Sequence, residues 1–259
     1  MKIKKLISAL VLGSMLVGLS GCNITDFSAE NLLRPPKAVG DEAEIEQLIA
    51  KTADSGYTLK YPKNGKFRSA IIMTDLDGND SNEAVAFFRN SAETSSVHML
   101  VMYSKDNSWE IASDNIFETT DIDSVDFADL TGNGKAEIIV NSTTYTPNVG
   151  KLSCYSYSEG KTNEVGSGQS CSSFVTGDFD NDGTSEIMSF VLYTTENEAL
   201  ASMLDYNEDS KSLYAKAMAN MDPNVVKYKN IAVTKLDNDI TGVVVDLSLI
   251  HISEPTRPY

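Results

Sequence analysis

Acidic residues at alternate positions mark one short stretch of the sequence as a candidate cation site. Its first, third, fifth and ninth positions carry carboxylates: Asp178, Asp180, Asp182 and Glu186. A tight turn can aim all four at one point, and because they repel one another they need a cation there. Calcium fits best, because it accepts about six to eight oxygen ligands in loose geometry. Gly183 stands where the chain must bend sharply, and the carbonyl of Thr184 can supply another oxygen.

The same pattern occurs twice more, each time directly before an apolar run. The candidate ligands are Asp75, Asp77, Asn79 and Glu83 in the first copy and Asp129, Asn133 and Glu137 in the second. A degenerate fourth copy is expected at Lys235–Val243, where the first and ninth ligands are lost. The copies start at 75, 129, 178 and 235, in steps of 54, 49 and 57 residues, which indicates one supersecondary unit per step. An acidic, solvated turn between strands is the alternative interpretation of the pattern.

The composition is that of a globular chain with an acidic balance. Apolar residues make up 41% and charged residues 22% of the 259 residues, so the chain can bury a core. Lys and Arg number 21 against 37 Asp and Glu, a net charge of −16, which argues against nucleic acid as a partner. Much of the acidic excess lies in the candidate cation loops, so we assign it to cation coordination before any acidic interaction surface.

Short apolar runs from residue 57 onward predict β-strands, because they are rich in Val, Ile, Phe and Tyr and are separated by turn residues. In the first unit the predicted strands span 68–74, 83–88, 97–103 and 108–113. In the second they span 124–128, 137–142, 151–157 and, weakly, 162–165. In the third they span 172–176, 186–193, 200–206 and 212–218. Four strands per unit are typical of a β-propeller blade.

One short helix is predicted ahead of the strands, over 41–56. Ile45, Leu48 and Ile49 fall at helical spacing, a capping-box-like start lies at Asp41, and Gly56 ends the pattern. We expect this helix to pack against the domain as a lid or spacer rather than to carry chemistry.

The first 40 residues carry the features of an export signal and a tether. A basic start and an apolar run are followed by Leu19-Ser20-Gly21-Cys22, which resembles the bacterial lipobox. The resemblance implies that 1–21 is a lipoprotein signal peptide, that the Cys22 thiol is lipidated, and that the chain is anchored in a bacterial cell membrane, facing outside the cytoplasm. Residues 22–40 then form a lipidated tether. An ordinary secretory signal with an incidental cysteine is the alternative.

Over 57–246 the repeated units resemble FG-GAP or VCBS-type repeats, the blades of integrin-alpha-like propellers. In that family an Asp-x-Asp-x-Asp-Gly-x-x-Asp loop joins the first two strands of a blade and binds calcium. The resemblance implies an all-β, incomplete β-propeller of about three to four four-stranded blades, with Ca²⁺ held by the ligands named above. Three departures weaken the match: Glu replaces the last Asp in all three loops, Thr131 is neutral, and Asp80 stands where Gly is usual. The third loop is therefore expected to bind most tightly.

The end of the chain departs from the repeat pattern. Residues 247–257 resemble the translation of a sequencing adapter, so 247–259 is predicted to be a non-native tail that interrupts the fourth unit. Two cysteines remain besides the lipidation site, Cys154 and Cys171, and they either pair or stay as buried thiols.

Few residues suggest catalysis. His98 lies in a predicted strand and is interpreted as a satisfied histidine, although glycosidase-like carboxylate pairs remain an alternative. Four aromatic residues belong either to the core or to a glycan or peptide surface: Trp109, Tyr145, Tyr155 and Tyr157. The sequence thus predicts a non-enzymatic, lipid-anchored, extracytoplasmic calcium-binding propeller that acts as a binding or scaffold module for protein or polysaccharide. The alternative is an extracytoplasmic enzyme or sensor component whose catalytic part lies outside this sequence.

Overall fold

Four antiparallel β-sheets make up most of the protein in a computed structural model of the chain. The structure describes residues 40–249 with gaps at 55, 94, 147, 194–197, 222–224 and 238–239. One helix, α1 (Asp41–Ala53), precedes the strands. The predicted signal peptide, most of the tether, Cys22, and residues 250–259 of the predicted tail lie outside the described residues.

The strands fall into the four sheets in the order of the chain. Sheet 1 contains β1 (Tyr57–Leu59), β2 (Ile71–Thr74), β3 (Glu83–Asn90), β4 (Val97–Lys105) and β5 (Ser108–Phe117). Sheet 2 contains β6 (Ile122–Ala128), β7 (Glu137–Thr143), β8 (Gly150–Ser158) and β9 (Lys161–Cys171). Sheet 3 contains β10 (Ser173–Gly177), β11 (Glu186–Tyr193), β12 (Glu198–Asn207) and β13 (Ser212–Met221). Sheet 4 contains β14 (Val225–Asp237) and β15 (Ile240–Leu249).

The all-β class and the twelve strands predicted for the three units are confirmed. In sheets 2 and 3 each strand pairs with its neighbour in the chain, and β2 to β5 of sheet 1 do the same. The sequence missed β1, which pairs with the second half of β3 while β2 pairs with the first half. It also underestimated β9, which runs to Cys171 although its sequence is polar and contains two glycines. Pairing with β8 along its whole length holds this strand in place.

Helix α1 is shorter than predicted, and its N-terminus differs from the predicted capping box. Gly40 occupies the N-cap and no side chain caps the helix, so Asp41 lies inside the first turn. There its carboxylate interacts favourably with the positive end of the helix dipole. The helix ends at Ala53 because Asp54 adopts a positive φ of 55°. Its apolar side packs against one face of sheet 1, as expected of a lid or spacer, and forms a cluster with Ala84, Ala86, Phe88, Leu100, Met102 and Trp109.

The sheets pack face to face in chain order, because alternate residues of each central strand point to opposite faces. The layer between sheets 1 and 2 includes Val85, Phe87, Met99, Val101, Ile138, Val140, Tyr155 and Tyr157. The layer between sheets 2 and 3 includes Ile139, Leu152, Cys154, Cys171, Ile187, Leu204 and Leu213. The outer face of sheet 3 packs on sheet 4 through Phe190, Leu192, Ile231, Val243 and Val245. Each fully buried side chain of this size contributes roughly 1.5–3 kcal/mol.

Sheet 4 corrects the predicted fourth loop. Lys235 pairs with Thr241 and Asp237 with Ile240, so β14 and β15 are paired at positions where a nine-residue loop was predicted. The reason lies in the lost ligands: Val243 replaces the glutamate of the other copies and pairs with Val233 as an ordinary strand residue. The strand continues to Leu249, so the first three residues of the predicted tail lie in β15.

Two further observations concern the cysteines and the membrane. Cys154 and Cys171 are free and buried, which agrees with the buried-thiol alternative rather than a disulfide. Within the described residues, no helix combines the length and the apolar character that crossing a bilayer requires.

Candidate metal centres

The three complete acidic stretches occupy the same place in three successive sheets. Loop 1 (75–82) joins β2 to β3, loop 2 (129–136) joins β6 to β7, and loop 3 (178–185) joins β10 to β11. Each therefore connects the first two strands of the repeating four-strand meander, and the ninth position is the first residue of the second strand. The sequence prediction of the loop positions is confirmed.

The glutamate at the ninth position folds back onto the start of its own loop. In each loop a carboxylate oxygen of that glutamate accepts a hydrogen bond of 2.8 Å from the backbone amide of the second position. The pairs are Leu76 with Glu83, Leu130 with Glu137, and Phe179 with Glu186. The glutamates are buried, with 3%, 1% and 0% of their surface exposed. Each glutamate side chain is thus long enough to reach from the start of its strand back into the loop.

The aspartate at the first position closes the turn from the other side. One of its carboxylate oxygens accepts a hydrogen bond from the backbone amide of the sixth residue. The amide of Asp80 donates to Asp75 at 2.9 Å, that of Gly134 to Asp129 at 2.8 Å, and that of Gly183 to Asp178 at 3.2 Å. In all three loops, a side-chain oxygen of the fifth residue accepts a hydrogen bond from the backbone amide of the seventh residue. Three loops of different sequence therefore share one hydrogen-bond scheme.

Positive φ angles at the fourth and sixth positions produce this scheme. The fourth position is Gly78, Gly132 or Asn181, with φ of 75°, 70° and 60°. The sixth is Asp80, Gly134 or Gly183, with φ of 65°, 79° and 95°. Asp80, which stands where loops 2 and 3 have Gly, adopts the same conformation because Asp and Asn tolerate the left-handed region better than other side chains. The requirement at the fourth position was missed, although Gly, Gly and Asn at that position are the signal for it.

The predicted ligands of loops 1 and 3 converge. In loop 3 one oxygen from each of Asp178, Asp180, Asp182 and Glu186 lies within 4.8 Å of the others. In loop 1 the same holds for Asp75, Asp77 and Glu83. Several of these oxygens are buried and have no hydrogen-bond partner within the described residues, namely Oδ1 of Asp77, Oδ1 of Asp178 and Oε1 of Glu186. Buried oxygens of this kind are costly unless a cation binds them.

The remaining predicted ligands occupy equivalent places but supply less charge. Asn79 and Asn133 hold the fifth position, and their side-chain oxygens accept backbone amides at 2.7 and 2.8 Å. In loop 2 the third position is Thr131, whose hydroxyl donates to Glu137 Oε1 at 3.2 Å. Loop 2 therefore offers carboxylates at two of its predicted ligand positions, Asp129 and Glu137. Of the three loops, it has the smallest negative charge with which to hold a divalent ion.

Burial and mutual repulsion make the charged form of the ninth-position glutamates unfavourable when no cation is bound. Burial raises the pKa of Glu83, Glu137 and Glu186 above the ordinary value, although the amide of the second position opposes the rise. The aspartates of the same loop raise it further. A divalent ion at the centre of each loop would reverse this effect, because it favours the charged form of every ligand.

Lys216 of β13 is a partner of loop 3 that the sequence did not reveal. Its ammonium group bonds Asp180 Oδ2 and lies 2.9 Å from Asp205 Oδ2. The hydrogen bonds to Asp180 and Asp205 raise the pKa of Lys216 above its usual value. One predicted calcium ligand is therefore held by a cation of the protein itself. Nothing in the spacing of the loop indicates a lysine that lies 36 residues further along the chain.

The other residues singled out in the sequence are not part of the loops, although Tyr157 lies close enough to loop 1 for Glu83 and Asp77 to contribute, after burial, to its raised pKa. His98 is buried in β4, stacks on Phe88, and has a carboxylate at each ring nitrogen: Asp114 at 2.9 Å and Glu93 at 3.2 Å. The interpretation of His98 as a satisfied strand histidine is confirmed. Trp109, Tyr155 and Tyr157 belong to the core, whereas 91% of Tyr145 is exposed.

Comparisons with known proteins identify no family for this chain. No protein-family model matches it, and no curated protein matches it. Among solved structures, one titled "NanB plus Optactamide" has a TM-score of 0.39 and 16% sequence identity, and the match covers 73% of this chain. The match covers 29% of the NanB chain. At this level of similarity the match assigns no activity.

Proposed function

We propose that the protein is a calcium-binding β-propeller of the FG-GAP/VCBS type that acts outside the cytoplasm as a binding or scaffold module for protein or polysaccharide. Calcium would occupy loops 1 to 3 and fix the first hairpin of each sheet. The fold alone does not name a ligand, so the proposal is based on the loops and on the export signal of the sequence.

The observation that carries the proposal is the buried, unpartnered carboxylate oxygen at the ninth position of loop 3. Glu186 is fully buried, one of its oxygens has no hydrogen-bond partner within the described residues, and three aspartates face it. An arrangement of this kind destabilises a protein unless a cation is bound. The same hydrogen-bond scheme in three loops indicates that the arrangement is a repeated feature of the fold.

Calcium suits the loops better than magnesium or zinc. The ligands are hard oxygen atoms of Asp, Glu and Asn, and in the described loops no His or Cys accompanies them, which disfavours zinc. All come from one short, continuous loop with side chains of different length, so the geometry is irregular. Calcium tolerates irregular geometry, whereas magnesium demands a near-ideal octahedron and retains its water.

The metal-binding part is tested by calcium titration of the chain stripped of metal. We expect binding by isothermal titration calorimetry and a melting temperature that rises with calcium and falls in excess chelator. Magnesium at the same concentration is the control and should give a smaller rise. The same melting temperature with calcium and with chelator would reject the metal sites.

The anchoring part of the proposal is supported by the residues around Cys22. Expression in a bacterium with radiolabelled palmitate should label the wild-type chain and not Cys22→Ser, and the wild type should sediment with membranes. Labelling of Cys22→Ser at the wild-type level would contradict lipidation at this residue. A separate outcome, secretion without any label in the wild type, would favour an ordinary signal peptide.

A further inference from the structure

Loop 2 differs from its two neighbours in how well its oxygens are satisfied without an ion. In loop 3 one oxygen of Glu186 is buried and has no hydrogen-bond partner among the described residues, and in loop 1 the same holds for Asp77 Oδ1. In loop 2 both oxygens of Glu137 are bonded, one by the amide of Leu130 at 2.8 Å and the other by the hydroxyl of Thr131 at 3.2 Å. An ion in loop 2 therefore competes with bonds that the loop already makes, and it gains less there than in loops 1 and 3.

Loop 2 lies between the other two loops and is bonded to both through the backbone. Ala136, which directly precedes Glu137, donates its amide to the carbonyl of Leu76 in loop 1 at 3.0 Å. On the other side, the carbonyl of Asp129 accepts the amide of Ser185 in loop 3 at 2.9 Å. Each bond thus attaches a predicted ligand of loop 2, or the residue beside one, to an adjoining loop.

The far ends of these two bonds belong to the ligand arrangement of loops 1 and 3. The amide of Leu76 donates to Glu83 at 2.8 Å, and Ser185 directly precedes Glu186. An ion that fixes either glutamate therefore also fixes a backbone group that loop 2 bonds. Because a bound ion must order its ligands, a loop whose backbone is already held by its neighbours loses less conformational entropy when it binds.

Close packing between the loops strengthens this connection. A Cβ at Gly78 of loop 1 would lie 3.3 Å from the carbonyl oxygen of Gly134 in loop 2. A Cβ at Gly132 of loop 2 would lie 2.6 Å from Thr184 Cγ2 in loop 3. Contacts this close leave loop 2 little room to move independently of its neighbours.

Electrostatic effects between the loops act differently and can be separated by salt. An ion in loop 1 or loop 3 repels an ion in loop 2, whereas their carboxylates attract it. Both effects decrease with ionic strength, because the Debye length falls from about 10 Å at about 0.1 M salt to about 3 Å at about 1 M. A connection through backbone hydrogen bonds and packing remains at high salt.

We propose that calcium fills the three loops in order, loops 1 and 3 first, and that loop 2 binds it firmly only when both neighbours hold an ion. This proposal rests on the proposed function as a calcium-binding protein and adds the order and the mutual dependence of its sites.

Calcium titration of the metal-stripped chain, followed by nitrogen–proton correlation NMR, observes each loop separately. The reporters are the sixth-position amides of Asp80, Gly134 and Gly183, because each bonds the first-position aspartate of its own loop. In about 1 M KCl, where charge effects between loops are screened, the amides of Asp80 and Gly183 should shift at lower calcium concentrations than that of Gly134.

Asp180→Asn/Asp182→Asn weakens loop 3 without changing loop 2. It removes two carboxylates and leaves Asp178 and Glu186 with their hydrogen bonds to the loop backbone. The calcium midpoint of the Gly134 amide should nevertheless rise about two- to tenfold, which corresponds to the loss of one backbone hydrogen bond.

Asp77→Asn tests the same dependence from loop 1. It should raise the midpoint of Gly134 and change that of Gly183 less, since the described backbone bonds connect loop 1 to loop 2 and loop 2 to loop 3. Glu208→Gln/Asp209→Asn is the matched control, because it removes two carboxylates from the exposed turn after β12. It should leave all three midpoints unchanged in about 1 M KCl.

Three outcomes would overturn the proposal: a Gly134 midpoint that both loop variants leave unchanged, an increase that disappears in about 1 M KCl, or a Gly134 amide that shifts before those of Asp80 and Gly183. Three loops that fill independently would refute the proposed order and leave the metal sites standing. If calcium shifts none of the three amides, the metal sites and the proposed order are refuted together.

Discussion

The backbone amide of Ser185 donates a hydrogen bond of 2.9 Å to the carbonyl oxygen of Asp129 and so joins loop 3 to loop 2. An equivalent bond of 3.0 Å runs from Ala136 to the carbonyl of Leu76 and joins loop 2 to loop 1. Both donors occupy the eighth position of their loops. The three loops therefore form a continuous row across three sheets, and a change in one loop is expected to be felt in the next.

The contact between loops 2 and 3 leads to a first prediction. Gly132 has a φ of 70°, and a Cβ there would lie 2.6 Å from Thr184 Cγ2. Gly132→Ala should lower the free energy of unfolding through left-handed strain of about 1–2 kcal/mol plus this collision. Thr184→Ser removes Cγ2 and keeps the hydroxyl that bonds Asp182. The double variant Gly132→Ala/Thr184→Ser should therefore regain the part of the free energy of unfolding that the collision removes. Urea denaturation measures both.

Gly134→Ala in the same loop is the matched control, because Gly134 has a φ of 79° but a Cβ added to it would meet nothing within 4 Å. Gly134→Ala should lose only the free energy of unfolding that the left-handed strain costs, and adding Thr184→Ser should not restore any of it. Equal losses in Gly132→Ala and Gly134→Ala would contradict the packed arrangement of loops 2 and 3.

A second prediction concerns the sign of the effect of Glu186→Gln. In calcium the variant should melt lower than the wild type, because an ionised ligand is lost. In chelator it should melt at the same temperature or higher, because an unpaired buried charge, with a cost of about 1–3 kcal/mol, has been removed. Differential scanning calorimetry under both conditions measures the change. Glu208→Gln, on the exposed turn after β12, should change neither melting temperature. A loss of equal size in calcium and in chelator would mean that Glu186 has no role in metal binding.

A third prediction concerns Lys216, which holds Asp180 in competition with a bound cation. Lys216→Met should raise the affinity of loop 3 for calcium by about two- to fivefold, since a partly exposed ion pair is worth about 0.5–1 kcal/mol. Calcium titration of the variant checks this. Lys211→Met removes a charge from the turn before β13 without touching the loop and is the control. Weaker calcium binding by Lys216→Met would show that the lysine positions Asp180 instead of competing for it.

A fourth prediction follows from Asp121, which connects the segment before β2 to sheet 2. Partial burial acts to raise its pKa, but Lys60 at 2.8 Å and Lys63 at 3.1 Å outweigh burial and hold the pKa below its usual value. A carboxylate with a lowered folded-state pKa stabilises the protein above its unfolded pKa of about 4, and this stabilisation is lost as the pH falls through the folded-state value.

Asp121→Asn should therefore cost about 0.5–1 kcal/mol at pH 7 and progressively less as the pH falls below about 4, as measured by urea denaturation at each pH. Asp106→Asn, in the exposed turn between β4 and β5, serves as the control. A difference between Asp121→Asn and the wild type that stays constant down to the lowest pH would contradict the ion pair.

The strands and the three acidic loops could be predicted because their signals are local. Alternation of apolar residues fixes which face of β3 or β7 is buried, and the one-three-five-nine spacing fixes the loop between two strands. The glutamate at the ninth position was predicted to be a ligand for the same reason. Its second role, the hydrogen bond to the second position, depends on the backbone turning back and is visible in the structure alone.

Features that depend on distant residues escaped the sequence. Lys216 meets Asp180 because β13 lies two strands away from β11 in the same sheet, a relationship that spacing does not encode. The cavity that Arg68, Asn141 and Ser172 line could not be predicted for the same reason, because these residues come from three separate units. The prediction of a capping box at Asp41 was wrong because the N-cap position is Gly40, which has no side chain to cap the helix, and Asp41 lies in the first turn.

The metal loops lie at one end of β6 and β10, and a cavity of about 840 Å³ that Asp123 and Ser173 line lies at the other end. Asp123 lines the cavity and Asp129 opens loop 2, and six extended residues place them about 20 Å apart. A ligand in the cavity thus cannot share oxygens with an ion in the loop. Calcium would act on such a ligand only by keeping β6 and β10 ordered. Removing the ion should therefore lower the affinity of the cavity gradually, as the strands lose order, and should not abolish it in one step.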